Sequence, residues 1–459
     1  MTTNDLRAAS AALVELHQRF APLFGRKEAR EHSLVYLRGL LSALPRKSVE
    51  PIALELGDGQ VVPMQRFLTR APWQTQAIQH EIQAVFAEKL VPSTASWALG
   101  TVGVLDATDF VKQGQHSVGV ARQHSGRLDK QANCQVGVFL VGVTPAGCAL
   151  LDHQLYLPKS WSRARRLRRL TRIPKGTRFR TKPALAADLV KRTQAAGRVS
   201  FDWVVADQAF GSNHALLDRL EAQQQHYVLA VPDRTLVWTS DPGPDAVYWQ
   251  RYRGAAGAGP QHVEDVVGQL PAQAWQTLQL RDGAKGPLVA QFAAVQVWPV
   301  RHQRCGPPRT LVVRRTLEKE PELTYYLAWA PEDTPLTTLA QVIGCRGSVE
   351  QYFEDGKSYL GMGQYEARSW TSWHHHMSLV ALAHLYVTLV RQRLKKKTPE
   401  LTLDRTIALL RVVLRLPRLN REQAVEILDY HLRRNRIAKE SHAKTWKRKH
   451  RRIHYKAPL

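Results

Sequence analysis

The sequence predicts an α/β protein. A core of mixed strands and helices is interrupted by an all-β insertion, with a helical N-terminal domain before it and a basic helical region after it. Three observations carry that prediction. Two apolar runs, Val102-Gly-Val-Leu-Asp106 and Trp203-Val-Val-Ala-Asp207, each read as a buried strand ending in an aspartate. Around them, three strands are followed by alternating helix and strand. Residues 232–330 lose that rhythm and carry only short β-type runs between Gly and Pro turns.

Residues 1–95 form the N-terminal domain. Leu6–Phe20, Glu28–Leu44 and Trp73–Leu90 place apolar residues three and four apart, which gives each helix one buried face. Pro51–Leu56, the Gly57-Asp-Gly59 break and Val62–Leu68 read as two short helices about a tight turn, the outline of a helix-turn-helix. Residues 96–231 hold the first part of the core. Strands at Thr101–Asp106, Val136–Val143 and Ala149–Tyr156 suit an antiparallel meander. A helix over Pro183–Ala196, a strand over Phe201–Asp207, a helix over Ser212–Gln224 and a strand over Tyr227–Val231 follow.

Within residues 232–330, the runs Val247–Tyr252, Trp275–Leu280, Val289–Val300, Thr310–Arg315 and Thr324–Leu327 show no helical period. Trp238, Trp249, Trp275 and Trp298 are expected in the core of this small sheet. Residues 331–395 return to the core. Thr334-Pro335 is a helix start, the segment to Leu360 reads as mainly helical, and Ser372–Lys395 is a second helix that closes the fold. Consecutive His374, His375 and His376 cannot share one helix face, so a helix start near nucleic acid fits them better than a metal site. Residues 396–459 form the basic C-terminal region.

Charge points to a polyanionic partner. Lys and Arg number 65 against 39 acids, a formal +26. Neutralising phosphates releases counterions, so such a surplus favours nucleic acid at moderate salt. Residues 391–459 hold 21 Lys/Arg against 6 acids, and this region includes Lys447, Arg448 and Arg451. From Lys159 to Lys182 there are eleven basic residues, among them Arg165, Arg166, Arg168 and Arg169, and no acid. Trp161 and Trp446 lie in these stretches, placed either to stack on bases or to anchor the segments to the core. The four cysteines have no paired spacing, which points away from a disulfide framework and a zinc knuckle. Met1-Thr-Thr-Asn-Asp lacks the pattern of a signal peptide. The longest uncharged stretch, Gln131–Leu151, is broken by Gly, Pro and polar residues and fits two strands better than a membrane span. The expected setting is the cytoplasm, on the nucleoid, with no membrane association.

The stretch Arg346-Gly-Ser-Val-Glu350-Gln-Tyr-Phe-Glu-Asp-Gly-Lys357 adds chemistry to this frame. On a helix, with Arg346 as zero, Glu350 lies near roughly 40° and Lys357 near roughly 20°. A carboxylate between two cations therefore occupies one stripe. By itself such a stripe is usually a solvated face. Two strand-borne aspartates and a helix-borne glutamate, however, are the parts of a two-metal phosphoryl-transfer site, where hard oxygen ligands hold the ions.

At these residues the chain resembles the DDE transposases of bacterial insertion sequences, in the insertion sequence 4 superfamily and closest to its insertion sequence 701 branch. Arg346, Glu350 and Lys357 match the last three positions of the signature Tyr-x2-Arg-x3-Glu-x6-Lys, while Ile343 stands at the Tyr position. The resemblance extends through Leu105-Asp106-Ala-Thr-Asp-Phe-Val-Lys112-Gln-Gly114, His116-Ser-Val-Gly-Val-Ala-Arg122, Asp207-Gln-Ala-Phe-Gly211 and Tyr365-Glu-Ala-Arg-Ser-Trp370, over roughly residues 15 to 390. It implies an RNase H-like catalytic core with Asp106, Asp207 and Glu350 as catalytic and metal-binding residues. Two Mg²⁺ ions are implied, with Mn²⁺ able to substitute. The partners implied are double-stranded DNA, as terminal inverted repeats and as target, and a second copy on that DNA. Arg346, Lys357, Lys112, His116, Arg122, the Arg165–Arg169 group, Lys447, Arg448 and Arg451 are expected to contact DNA, and Trp298 stands for the insertion tryptophan that relatives use in strand distortion. Asp109 occupies a usual glycine position, where a second acid could compete with Asp106. The alternatives are a transposase-derived DNA-binding protein and an endonuclease without integration activity.

Overall fold

The computed structural model describes residues 2–126, 128–243, 259–283, 286–414, 416 and 419–451. The N-terminal region is helical: α1 (Thr3–Phe20), α2 (Lys27–Leu41), α3 (Val49–Leu56), α4 (Val61–Thr69) and α5 (Thr75–Lys89). Thr2 and Asp5 close a capping box at the start of α1, so two of its free N–H groups are satisfied. The turn between α3 and α4 uses Asp58 and Gly59 at positive φ, which a short polar residue and a glycine tolerate.

Strands β1 (Val102–Val111), β2 (Ala121–Ser125), β3 (Lys130–Thr144) and β4 (Gly147–Leu155) come next. Helices α6 (Lys159–Ser162), α7 (Arg165–Leu170) and α8 (Lys182–Ala195) lead to β5 (Trp203–Ala206), α9 (Gln208–Gly211), α10 (His214–Ala222) and β6 (Tyr227–Val231). β1 pairs antiparallel with β3 along its whole length and parallel with β5, and β5 is parallel to β6. The strand expected to end at Asp106 runs further, because Ala107–Val111 continue the ladder to Cys134. β2, which the sequence reading omits, pairs with the outer end of β3 through a polar, alternating segment.

The insertion contributes β7 (Leu236–Trp238), β8 (Gln261–His262), β9 (Gln276–Gly283), β10 (Gly286–Arg301), β11 (Arg304–Cys305), β12 (Arg309–Arg315) and β13 (Leu323–Trp329). It does not build a separate small sheet. β13 pairs with β6, β12 with β13 and β10 with β12, so the core sheet runs on into the insertion. Without β13, β6 would present an open edge. Nor is the segment wholly β: α11 (Val263–Gly268) is a short helix whose Val263, Val266 and Val267 pack in a second apolar cluster with Val237, Val297 and Leu311. The expected strand Val247–Tyr252, with Trp249, lies outside the described residues.

Two buried arginines tie the insertion down. Arg301 on β10 and Arg309 on β12 both bind Glu221 of α10, at 2.6 Å each, and Tyr227 Oη donates to the same carboxylate at 2.6 Å. Burial alone would raise the Glu221 pKa, but the hydrogen bonds from Arg301, Tyr227 and Arg309 outweigh it and hold the group at about 2.

The chain closes with α12 (Leu336–Gly344), α13 (Gly347–Tyr359), α14 (Trp370–Lys395), α15 (Leu403–Val413) and α16 (Arg421–Arg451). α14 is buried on nearly all sides and packs on β4, α2 and α5. Its His374, His375 and His376 are core residues, not a DNA-facing helix start. His375 stacks on Trp73 at 3.5 Å, and its ring nitrogens lie 3.0 Å from the Leu68 and Trp73 carbonyls. His376 meets the Tyr36 hydroxyl at 2.9 Å. Burial drives the pKa values down, to about 3 for His374 and His376 and about 4 for His375, so all three serve as neutral packing groups. His375 and His376 fasten the N-terminal helices to the core, whereas His374 meets the Trp370 carbonyl at 3.0 Å. Among the described residues, no helix is long and apolar enough to cross a membrane.

Glu221→Gln should destabilise the fold by about 2–3 kcal/mol at neutral pH, because it leaves two buried guanidinium groups with a weaker acceptor. The depressed pKa makes this contribution complete above 4.5 and lost as pH falls toward about 2. Thermal denaturation of the two proteins should show a gap that narrows in acid. A gap independent of pH would remove the ion cluster from the account.

Candidate active site

The sheet register builds the first half of the site. Leu105 of β1 lies beside Ala206 of β5 in a parallel pair, so the next residues, Asp106 within β1 and Asp207 just past β5, lie side by side. β5 ends there, since Asp207 caps α9 by accepting from the Ala209 amide at 3.0 Å. Asp106 remains in its strand, half-buried, and accepts from the Ala107 amide at 2.6 Å.

Strand alternation decides which neighbours share the site. Asp106, Thr108 and Phe110 point to one face of β1, and Asp109 to the other. Asp109 is buried and accepts from Ser125 Oγ at 2.7 Å, which turns it toward β2 and away from Asp106. It therefore does not compete for the role of Asp106. On the Asp106 face, Lys357 Nζ of α13 donates to Thr108 Oγ1 at 2.7 Å and lies 5.6 Å from the centre of the Phe110 ring. That contact brings α13 over β1. Thr108 has no sequence signal beyond its two-residue spacing from Asp106.

Glu350 sits in the first turn of α13, where the helix dipole favours a carboxylate. Its side chain is 59% exposed and pairs with Arg346 at 3.2 Å, one turn back. The acids nevertheless share one electrostatic field. Burial and then Asp207 push the Asp106 carboxyl up to about 7. The Ala107 amide and Arg346 pull against that rise, and Glu350 adds to it. Among the described residues, no three His, Cys, Asp or Glu side chains are grouped closely enough to hold one metal ion. Asp106 and Asp207 come as a pair set by the sheet, whereas Glu350 is turned to Arg346.

This donor set suits a hard divalent cation. A carboxylate that a neighbouring acid forces toward protonation gains from a metal that replaces the proton, and every available donor is oxygen.

The other candidates scatter. Lys112 is half-buried, donates to the Tyr365 carbonyl at 3.0 Å and stands 3.5 Å from that ring, so it braces the segment before α14. Burial lowers its pKa to about 8. His116 is exposed in the loop after β1, and Arg122 is exposed on β2. Arg165, Arg166 and Arg169 are exposed on α7, whereas Arg168 donates to the Thr177 carbonyl at 2.7 Å. Trp161 anchors this stretch, buried and donating to the Val120 carbonyl at 2.9 Å. Trp298 is half-buried on β10 opposite buried Trp238. Trp275 carries the Arg315 guanidinium 4.0 Å from its ring centre. Lys447 and Arg448 are exposed on α16, which ends at Arg451.

Because the raised pKa of Asp106 lies above the ordinary 3.8, its ionisation costs the fold stability progressively as pH rises from 3.8 through about 7. Asp106→Asn should therefore raise the melting temperature of chelator-treated protein in mild alkali, by at most about 4 kcal/mol of stability, with no gain in acid. An equal or lower melting temperature in alkali would mean that burial and the Asp207 charge do not raise the proton affinity of Asp106.

Comparison with known proteins agrees with this geometry. Residues 19–287 match the DDE superfamily endonuclease family, a span that contains Asp106 and Asp207 and ends before Glu350. Over 194 residues the chain is 27% identical to a probable transposase for insertion sequence element IS701 from Microchaete diplosiphon, covering 42% of this chain and 46% of that protein. The chain thus spans less than half the length of this curated relative. With more than half of its own length matched to the family, the chain belongs to the DDE superfamily endonucleases.

Proposed function

We propose that this protein is a DNA transposase that binds the terminal inverted repeats of an insertion sequence, cleaves them and joins the 3′-OH ends to target DNA. The observation that carries the reading is the side-by-side placement of Asp106 and Asp207, with α13 brought over β1 by the Lys357–Thr108 bond. Membership of the DDE endonucleases and the similarity to an insertion-sequence transposase support it.

Asp106, Asp207 and Glu350 would hold two Mg²⁺ ions, with Glu350 rotating away from Arg346 to do so. Bound there, the ions supply a more acidic attacking water or 3′-OH and neutralise charge on the leaving oxygen. Arg346, freed from Glu350, and Lys357, held at Thr108, are placed to grip phosphate oxygens beside the acids. The acid-free basic stretch on α6 and α7 and the basic end of α16 would hold the duplex. One cluster can serve both cleavage and joining, because each is an in-line displacement at phosphorus. Two transposon ends must meet, so the working unit is a dimer on DNA.

Glu350→Gln keeps the side chain's shape and removes its charge. With a labelled duplex carrying a terminal repeat, cleavage in Mg²⁺ should fall by about 10³-fold or more, while end binding in a mobility-shift assay stays near wild type. Undiminished cutting would take Glu350 out of the mechanism. Wild-type reactions should also yield joined products. Nicks without joining would replace the transposase reading with that of a plain endonuclease.

A further inference from the structure

The register that sets Asp106 beside Asp207 continues into the insertion. Leu105 pairs with Ala206, Ala206 with Leu229, Leu229 with Leu327 and Leu327 with Leu311. One step further in the direction of β1, Asp106, Asp207, Ala230, Tyr326 and Val312 form the next row, on the opposite face. Packing agrees. Leu311 and Leu327 belong to the apolar cluster around α11, whereas Val312 and Tyr326 pack in the main core with Leu339 and Ile343 of α12. Tyr326 therefore stands on the aspartate face, two strands beyond Asp207 and about 10 Å from it along the sheet.

Arg314 lies two residues along β12 from Val312 and so emerges on the same face. It is half-buried, and among the described residues its Nε is buried without a hydrogen-bond partner. Its neighbours in the ladder, Phe292 and Thr324, carry no charge. Arg315 differs. It turns to the other face, where Gln291 Oε1 accepts from its Nη2 at 2.6 Å and the Trp275 ring lies beside it.

Burial raises the Tyr326 pKa, and the charges of Arg314 and Arg346 pull it back, so both guanidinium groups stand near one phenol. Arg346 also acts on Asp106. Lys357, Arg346 and Arg314 thus follow one another across the aspartate face, from β1 to the insertion. Glu350 is the counter-ion of Arg346. Once Glu350 turns away, as the proposed function requires, two half-buried guanidinium groups are left facing a neutral hydroxyl. A phosphate, with oxygens that accept from both, would stabilise that arrangement.

We propose that Arg314 binds the backbone phosphate next to the cleaved one, on the insertion side, and that Tyr326 is the positioning residue that aims it. This role rests on the DNA-cutting function proposed above. It gives the insertion a direct hold on the reacting strand, through a residue outside the catalytic acids and outside the basic segments of α7 and α16.

The test uses the full chain in Mg²⁺ with labelled terminal-repeat duplexes, each carrying one neutral methylphosphonate in place of a phosphate near the cleaved bond. Cleavage is followed in single turnover at limiting enzyme. One flanking methylphosphonate should slow wild type by about tenfold. Arg314→Gln should slow cleavage of the unmodified duplex by the same factor, and that methylphosphonate should cost it nothing further. At every other position its losses should match those of wild type. The slope of log affinity against log salt should fall by about one in Arg314→Gln and stay unchanged in Arg314→Lys, which keeps the charge. Tyr326→Phe, which keeps the ring, should show part of the Arg314→Gln loss at the same phosphate. A variant that merely folds poorly would instead lose the same factor on every duplex. Losses that multiply at all positions, or an Arg314→Gln as active as wild type, would overturn this inference alone. A wild type that neither binds nor cuts the duplex would overturn the proposed function with it.

Discussion

Placing two carboxylates side by side, one within β1 and one just past the end of the parallel strand β5, is the constraint on which the rest of this structure depends. Hydrogen-bond register between β1 and β5 runs up to Leu105 and Ala206 and so sets Asp106 and Asp207 beside each other. Water can screen such a pair only partly, because Asp106 is half-buried. Burial first, and then this repulsion, raise the proton affinity of Asp106. A protein selected only for stability has little reason to keep this arrangement. A site that must bind cations and phosphate does.

Several features support that strained pair. β3 flanks β1 over its whole length, so Asp106 is fixed from both sides. The insertion, by continuing the sheet beyond β6, protects an edge only two strands from the pair. Its attachment is polar and specific: one carboxylate receives two buried arginines and a tyrosine hydroxyl. α14 braces the other side with buried histidines, of which His375 and His376 reach back to the N-terminal helices. These histidines work by filling space and meeting main-chain carbonyls.

Two half-buried cations, Arg346 and Lys357, stand at this rigid centre, and Lys112 is turned inward onto Tyr365. Exposed cations on α7, on β2 and on α16 lie away from that centre. That division separates holding the polyanion, which tolerates flexible side chains, from aligning its reacting phosphate, which does not.

How much of this was legible from the chain alone varies with the kind of signal. The N-terminal helices, the meander and the strand before Asp207 were visible, because local periodicity and turn residues report local structure. The aspartates stood out by ending apolar runs, and the Arg346–Glu350–Lys357 stripe by helical spacing. Only the tertiary structure showed that Asp109 faces Ser125, that Lys357 reaches Thr108, that Glu350 rests on Arg346, and that the insertion joins the core sheet. Each of these pairs residues distant in sequence, or chooses between the two faces of a strand. The histidine triplet marks the same limit. Three consecutive imidazoles look polar in a sequence, and only their packing against Trp73, Tyr36 and main-chain carbonyls makes them part of a core.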